Sequence, residues 1–112
     1  MDLQITQHDD ATLIMALRGR FDAFNAESVK ANWQDNAAIR YVIMDLSETT
    51  FIDSVALAAL VQGLKTTRSR EGNFIIACPG EAARTIFELT AMDRAFTITP
   101  SVDDALDVMT IL

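Results

Sequence analysis

Cysteine and histidine are nearly absent from this chain, with one of each, Cys78 and His8, in 112 residues. A lone cysteine permits no internal disulfide and fits a reducing compartment. One cysteine and one histidine fall short of a typical structural zinc site. With His8 read in a hairpin turn there is no Ser/His/Asp set and no other nucleophile–base constellation, so catalysis is not expected. Cations are scarce too, 9 Lys+Arg against 16 Asp+Glu, for a formal net charge of −7. Phosphate-backbone binding needs clustered Lys and Arg, so nucleic acid is not an expected partner. Gly19 and Gly72 stand alone, without a glycine-rich phosphate loop. No apolar run approaches the roughly 20 residues of a membrane span. The opening MDLQITQHDD has no charged-then-apolar signal pattern. Membrane insertion and secretion are therefore not expected, the implied location is cytoplasmic, and no cofactor or metal is called for.

What remains is a chain that is 50% apolar, enough for a real core, of a length that suits one domain over residues 1–112. Leu3 and Ile5 alternate with polar residues as an edge strand does. Thr12-Leu-Ile-Met-Ala-Leu-Arg18 reads as a second strand, and His8-Asp-Asp-Ala11 between them is turn chemistry, which predicts a hairpin ended by Gly19. From Asn25 the period changes: Ala26, Val29 and Trp33 fall at i, i+3, i+7, one face of a helix that Asp22 or Asn25 would cap. Tyr41 to Leu46 is apolar without alternation, as expected of a strand covered on both faces.

Ser47 to Phe51 reads as a loop. Asp53-Ser54 leads into an alanine- and leucine-rich helix running to about Arg70, with Lys65, Arg68 and Arg70 suiting its C-terminal dipole and Gly72 as its stop signal. Asn73 to Cys78 is a further buried strand, ended by Pro79-Gly80, in which Cys78 reads as packing. Glu81 to Thr90 is a short helix with Ala83, Ile86, Phe87 and Thr90 on one side. Phe96 to Thr99 is a last strand. Pro100-Ser101 opens a final helix: Ser101 and Asp104 resemble a capping box, Val102, Ala105, Leu106 and Met109 form its apolar stripe, and Asp103-Asp104 suits its dipole. The order β-β-α-β-α-β-α-β-α predicts an α/β fold, a mixed, mainly parallel sheet flanked by about four helices.

Sites in such sheets lie beyond the carboxyl ends of strands. Gly19-Arg-Phe-Asp22 and Phe51-Ile-Asp-Ser54 are both placed there. Either Asp53 or Ser54 simply caps the helix, or Ser54 offers an exposed hydroxyl at its positive end. Of Phe51 and Ile52, one or both are buried or form an apolar contact beside Ser54. A receiver-domain reading would use Asp45 as phosphoacceptor with Asp9-Asp10 as its acidic pair. It fits poorly, because that pair lies in the predicted turn and no lysine follows Phe96-Thr-Ile-Thr99.

Leu17-Arg-Gly-Arg-Phe-Asp22, Ala26, Val42-Ile-Met-Asp-Leu46 and Phe51-Ile-Asp-Ser-Val-Ala-Leu57 resemble the STAS domain family of anti-sigma factor antagonists. Gly72-Asn-Phe-Ile-Ile-Ala-Cys-Pro79 and Ile86-Phe-Glu-Leu-Thr-Ala-Met-Asp93 resemble it as well. The resemblance implies a protein–protein switch rather than an enzyme. Ser54 would be phosphorylated by an ATP-dependent anti-sigma factor serine kinase and restored by a phosphatase, the unmodified form binding the kinase and the phosphoprotein releasing it. It also implies that Phe51, Asp22, Asp53, Ser54 and Val55 meet the partner, with Asp22 and Asp53 making the surface around Ser54 strongly negative. Val55 and Ala56 stand where the family's Asp-Ser-Ser/Thr-Gly-Leu pattern has Ser/Thr and Gly, which puts a methyl in the path of a close partner. The alternative within the same fold is an unmodified regulatory or scaffold subunit of a transporter or signalling complex, with Ser54 as cap and contact residue.

Overall fold

The structure is a computed structural model in which residues 1–109 are described. Six strands and four helices follow in the order β1 (Asp2–Asp9), β2 (Thr12–Phe21), α1 (Ala26–Gln34), β3 (Tyr41–Asp45), β4 (Thr49–Ile52), α2 (Ser54–Ser69), β5 (Asn73–Ala77), α3 (Glu81–Leu89), β6 (Thr97–Thr99) and α4 (Val102–Val108). A short 3₁₀ turn, Met92–Arg94, lies between α3 and β6. The sheet order is β1-β2-β3-β5-β6, with β1 antiparallel to β2 and the other neighbours parallel. The mixed α/β sheet is as expected. Two local readings shift: β1 continues through His8 to Asp9 with a register irregularity there, and Phe96 precedes β6.

Alternation in the central strands divides the core. Val42, Met44, Phe74 and Ile76 point to one face, where α1, α2 and α3 bring Val29, Trp33, Leu60, Leu64 and Phe87. Ile43, Ile75 and Ala77 point to the other, closed by Ala105 and Met109 beside the half-buried Val102 and Leu106. β3 and β5 are thus covered on both faces, and this is why their sequences do not alternate.

The segment read as a loop over Ser47 to Phe51 is in part strand β4. The 10 residues of β2 are shared between two partners: Thr12 to Ala16 pair with Tyr41 to Asp45, and Gly19, Arg20 and Phe21 pair with Thr49, Phe51 and Ile52. Gly19 sits at the change of partner with φ +87, a conformation glycine adopts without a Cβ penalty. Thr49 is buried, and its hydroxyl donates to the Leu17 carbonyl at 2.8 Å. Only Thr49 and Thr50 of the polar run Ser47-Glu48-Thr49-Thr50 belong to β4, which is held by pairing to a distant segment and by the buried Ile52.

Helix ends also differ from expectation. Neither Asp22 nor Asn25 caps α1 with its side chain. At and beyond the C-terminal end of α1, Arg70, which follows α2, donates from Nη1 to the Trp33, Asn36 and Ile39 carbonyls at 2.9, 3.1 and 2.8 Å. Arg40 donates in turn to the carbonyls of Arg70 and Glu71 at 3.0 and 3.1 Å. Each arginine closes the other helix's or loop's exposed carbonyls, a larger role than dipole compensation. The left-handed residue after α2 is Glu71 (φ 63), not Gly72. Gly72 is required for close approach: a Cβ there would lie 1.6 Å from the Arg40 carbonyl oxygen. At α4, Ser101 Oγ accepts from the Asp104 amide at 3.0 Å, as a cap should.

Candidate functional site

β2 and β4 run parallel and end together, Phe21 beside Ile52, and the Asp53 amide donates to the Phe21 carbonyl at 3.3 Å. This brings Asp22 and the turn after β2 next to the N-terminus of α2. Five residues singled out in the sequence, Phe51, Asp22, Asp53, Ser54 and Val55, therefore share one corner of the molecule.

Asp53 is the cap of α2. Its Oδ1 accepts from the Ala56 amide at 2.8 Å, and its Oδ2 accepts from the Ala23 amide at 2.9 Å, thirty residues away in sequence. Both bonds favour the carboxylate, that to Ala56 most, so the Asp53 pKa lies below the ordinary carboxylate value. Because Asp53 takes the capping role, Ser54 is the first helical residue and is left exposed. Val55 is exposed as well, at 49%.

The methyl of Ala56 is not in a partner's path. Ala56 is 0% exposed and packs into the core under α2, so the departure from the family's glycine is absorbed internally. The expected strong negative charge is also reduced. Asp22, with a side chain only 15% exposed, accepts from the Phe24 amide at 3.1 Å and lies 3.5 Å from Arg20 Nε. Arg20 in turn stacks over the Phe51 ring, its Cζ 4.0 Å from the centroid. Asp22 holds the turn and is paired with Arg20. Of the apolar pair, Ile52 is buried and Phe51 is exposed. Phe51 borders a groove of about 580 Å³ between β4 and α3, also lined by Thr50, Ile86 and Leu89.

Phe24 is a residue the sequence reading passed over. It is 99% exposed, on the turn that Asp53 holds. The available signal was its position between Asp22 and Asn25, off the Ala26, Val29, Trp33 stripe, where no core contact is open to it.

The receiver-domain pair does not form. Asp9 lies at the end of the sheet where β3 begins and Asp45 at the end where β3 finishes, roughly 13 Å apart along the strand direction and two strands apart across the sheet. Asp9 Oδ1 accepts from the Ala11 amide, and Asp45 Oδ1 from the Ser47 amide, both at 2.9 Å. Cys78, half-buried, packs against the α4-side core, and burial with the nearby Asp45 carboxylate pushes its thiol pKa up. Among the described residues no helix is long and apolar enough to cross a membrane.

A family model for the STAS domain matches residues 2–105. The chain belongs to the STAS domain family. Over 72 residues it is 29% identical to a Thermotoga maritima protein named "Putative anti-sigma factor antagonist", a match that spans 64% of this chain and only 64% of that relative's length. Among solved structures, a Thermotoga maritima protein of the same description superposes with a TM-score of 0.87 at 25% identity, covering 96% of this chain and 93% of that one. The anti-sigma factor antagonist SpoIIAA in its unphosphorylated form superposes at 0.84 with 17% identity, over 95% and 94% of the two chains, a likeness of fold.

Proposed function

We propose that this protein is an anti-sigma factor antagonist whose partner surface is Asp22, Phe51, Asp53, Ser54 and Val55. In this reading the unmodified protein binds an anti-sigma factor serine kinase in the cytoplasm. The kinase transfers the γ-phosphoryl group of ATP to Ser54 Oγ, ADP leaves, the hydroxyl proton is lost, and the phosphoprotein dissociates until a phosphatase restores it. The observation that carries the reading is the division of labour at α2: Asp53 holds the capping bond and Ser54 stands exposed at the helix N-terminus.

The electrostatics suit a switch. Phosphorylation adds about −1.5 to −2 charge at neutral pH. The N-terminus of α2 favours an anion by roughly 0.3–1 kcal/mol, so the fold accommodates the group. A partner surface matched to a neutral hydroxyl instead meets that charge beside the Asp53 carboxylate, and its repulsion and desolvation favour release.

Incubation with ATP and each candidate anti-sigma factor kinase, followed by intact mass and site mapping, tests the modification. Titration of the same kinase with Ser54→Ala and Ser54→Asp tests the switch. Ser54→Ala is expected to bind and Ser54→Asp to bind weakly; equal affinities would refute it. Binding of a partner with no modification of Ser54 under any kinase would favour the regulatory or scaffold role instead.

A further inference from the structure

Lone exposed apolar residues are common on protein surfaces. Phe24 differs in how it is held. At 99% exposure it gives up all of the burial free energy a phenylalanine ordinarily contributes. Yet its turn is fastened on every side. The Asp22 amide donates to Asn25 Oδ1 at 3.0 Å, the Phe24 amide to Asp22 Oδ1 at 3.1 Å, and Asn25 Nδ2 to the Arg20 carbonyl at 2.8 Å. The Ala23 amide, one residue before Phe24, donates to Asp53, one residue before Ser54. Phe51 and Val55, also exposed, flank the same corner. The backbone that carries the ring is thus held in place beside the candidate phosphosite, so docking need order only the side chain of an exposed aromatic, the residue type that dominates interfaces.

We propose that Phe24 is the aromatic anchor by which the Ser54-directed partner is held, and that Asp53 is the strut aligning this anchor with Ser54. The inference rests on the reading of Ser54 above and names the partner's chemistry: an apolar pocket for the ring, rimmed by Lys or Arg. The Asp53 carboxylate, in a chain of net charge −7, supplies the complement, while Asp22 and Glu27 are paired with Arg20 and Lys30. Asp53 is a positioning residue in this scheme. Its two oxygens serve two amides, so the state of the α2 N-terminus and the placement of Phe24 are mechanically one.

The strut is tested on the free protein. Asp53→Ser keeps a good helix cap with a single, shorter oxygen, and Asp53→Asn keeps the shape but replaces one acceptor with a donor. Amide exchange and chemical shifts are expected to show Ala23 and Phe24 losing protection in Asp53→Ser while Ala56 stays protected. An unchanged Ala23 amide in both variants would overturn the strut. The anchor is tested by titrating the kinase that binds wild type. Phe24→Ala is expected to weaken binding about tenfold or more with an unchanged Tm, and Phe24→Tyr to retain most of it. Wild-type affinity in Phe24→Ala overturns the anchor and leaves the Ser54 reading standing. Failure of wild type itself to bind any such kinase overturns both.

Discussion

Replacing Gly63 with alanine sets two effects of known sign against each other. Gly63 is buried in the middle of α2, where alanine's helix propensity alone would add about 1 kcal/mol of stability. The tertiary structure opposes this. A Cβ at position 63 would lie 2.5 and 2.7 Å from two Phe74 ring carbons and 3.1 Å from a Trp33 ring carbon. Side-chain tips yield cheaply when they can swing into solvent, but these cannot. Trp33 and Phe74 are both 0% exposed, packed edge to face with centroids 5.0 Å apart, and Phe74 is backed by Phe96 at 6.2 Å. Overpacking of a close-packed core costs about 1–3 kcal/mol, and a clash with a ring clamped on its far side belongs at the upper end. The expected net change for Gly63→Ala is a loss of about 1–2 kcal/mol. For a chain of this size that lowers Tm by roughly 4–10 °C. Urea unfolding at constant m-value is the assay. The double variant Gly63→Ala/Phe74→Leu should be markedly less destabilised than the sum of its single changes, because each alteration makes room for or fills the other. A Gly63→Ala protein as stable as wild type, or more so, would refute the reasoning that the clamped Phe74 and Trp33 rings leave no room for a methyl between α2 and β5.

Arg70→Ala should cost about 2 kcal/mol, since a charged donor leaves three carbonyls at the end of α1, and Arg70→Lys should restore only part of it; an unchanged urea midpoint would refute this. Asp53 has a depressed pKa in the folded state, so its stabilising contribution is present above the unfolded carboxylate value near 4 and is lost as pH falls through the lower folded value. NMR titration should show the Ala56 and Ala23 amides shifting together in that acidic window, and independent midpoints would count against a shared acceptor. Cys78, with its raised pKa, should react with iodoacetamide at pH 7.5 more slowly than a free thiol; equal or faster alkylation would contradict its inert packing role.

Much of the molecule is legible without coordinates. The Ala26, Val29, Trp33 stripe, the unalternating apolar runs at Tyr41 and Asn73, and the Ser101 cap are local signals, written in periods of a few residues. They were sufficient for the α/β class and for placing Ser54 at a helix start. What they could not reveal depends on residues far apart in sequence. Strand β4 exists because Thr49 to Ile52 pair with the far half of β2, and no local pattern marks that partner. Gly72 reads as a helix stop but is required by the Arg40 carbonyl, a contact across the sheet. Ala56 looks like an obstacle to a partner until burial shows its methyl facing inward.

The same division runs through the candidate site. Composition and charge raised the expectation of recognition rather than catalysis, and the resemblance carried by Asp22, Asp53 and Ser54 pointed to the serine to test. Tertiary structure alone decided that Asp53 bonds two amides at once, that Asp22 is spent on a turn and on Arg20, and that Phe24 stands in water beside them. The physical reason is that hydrogen-bond partners and burial are properties of positions in space, set only when two strands end side by side.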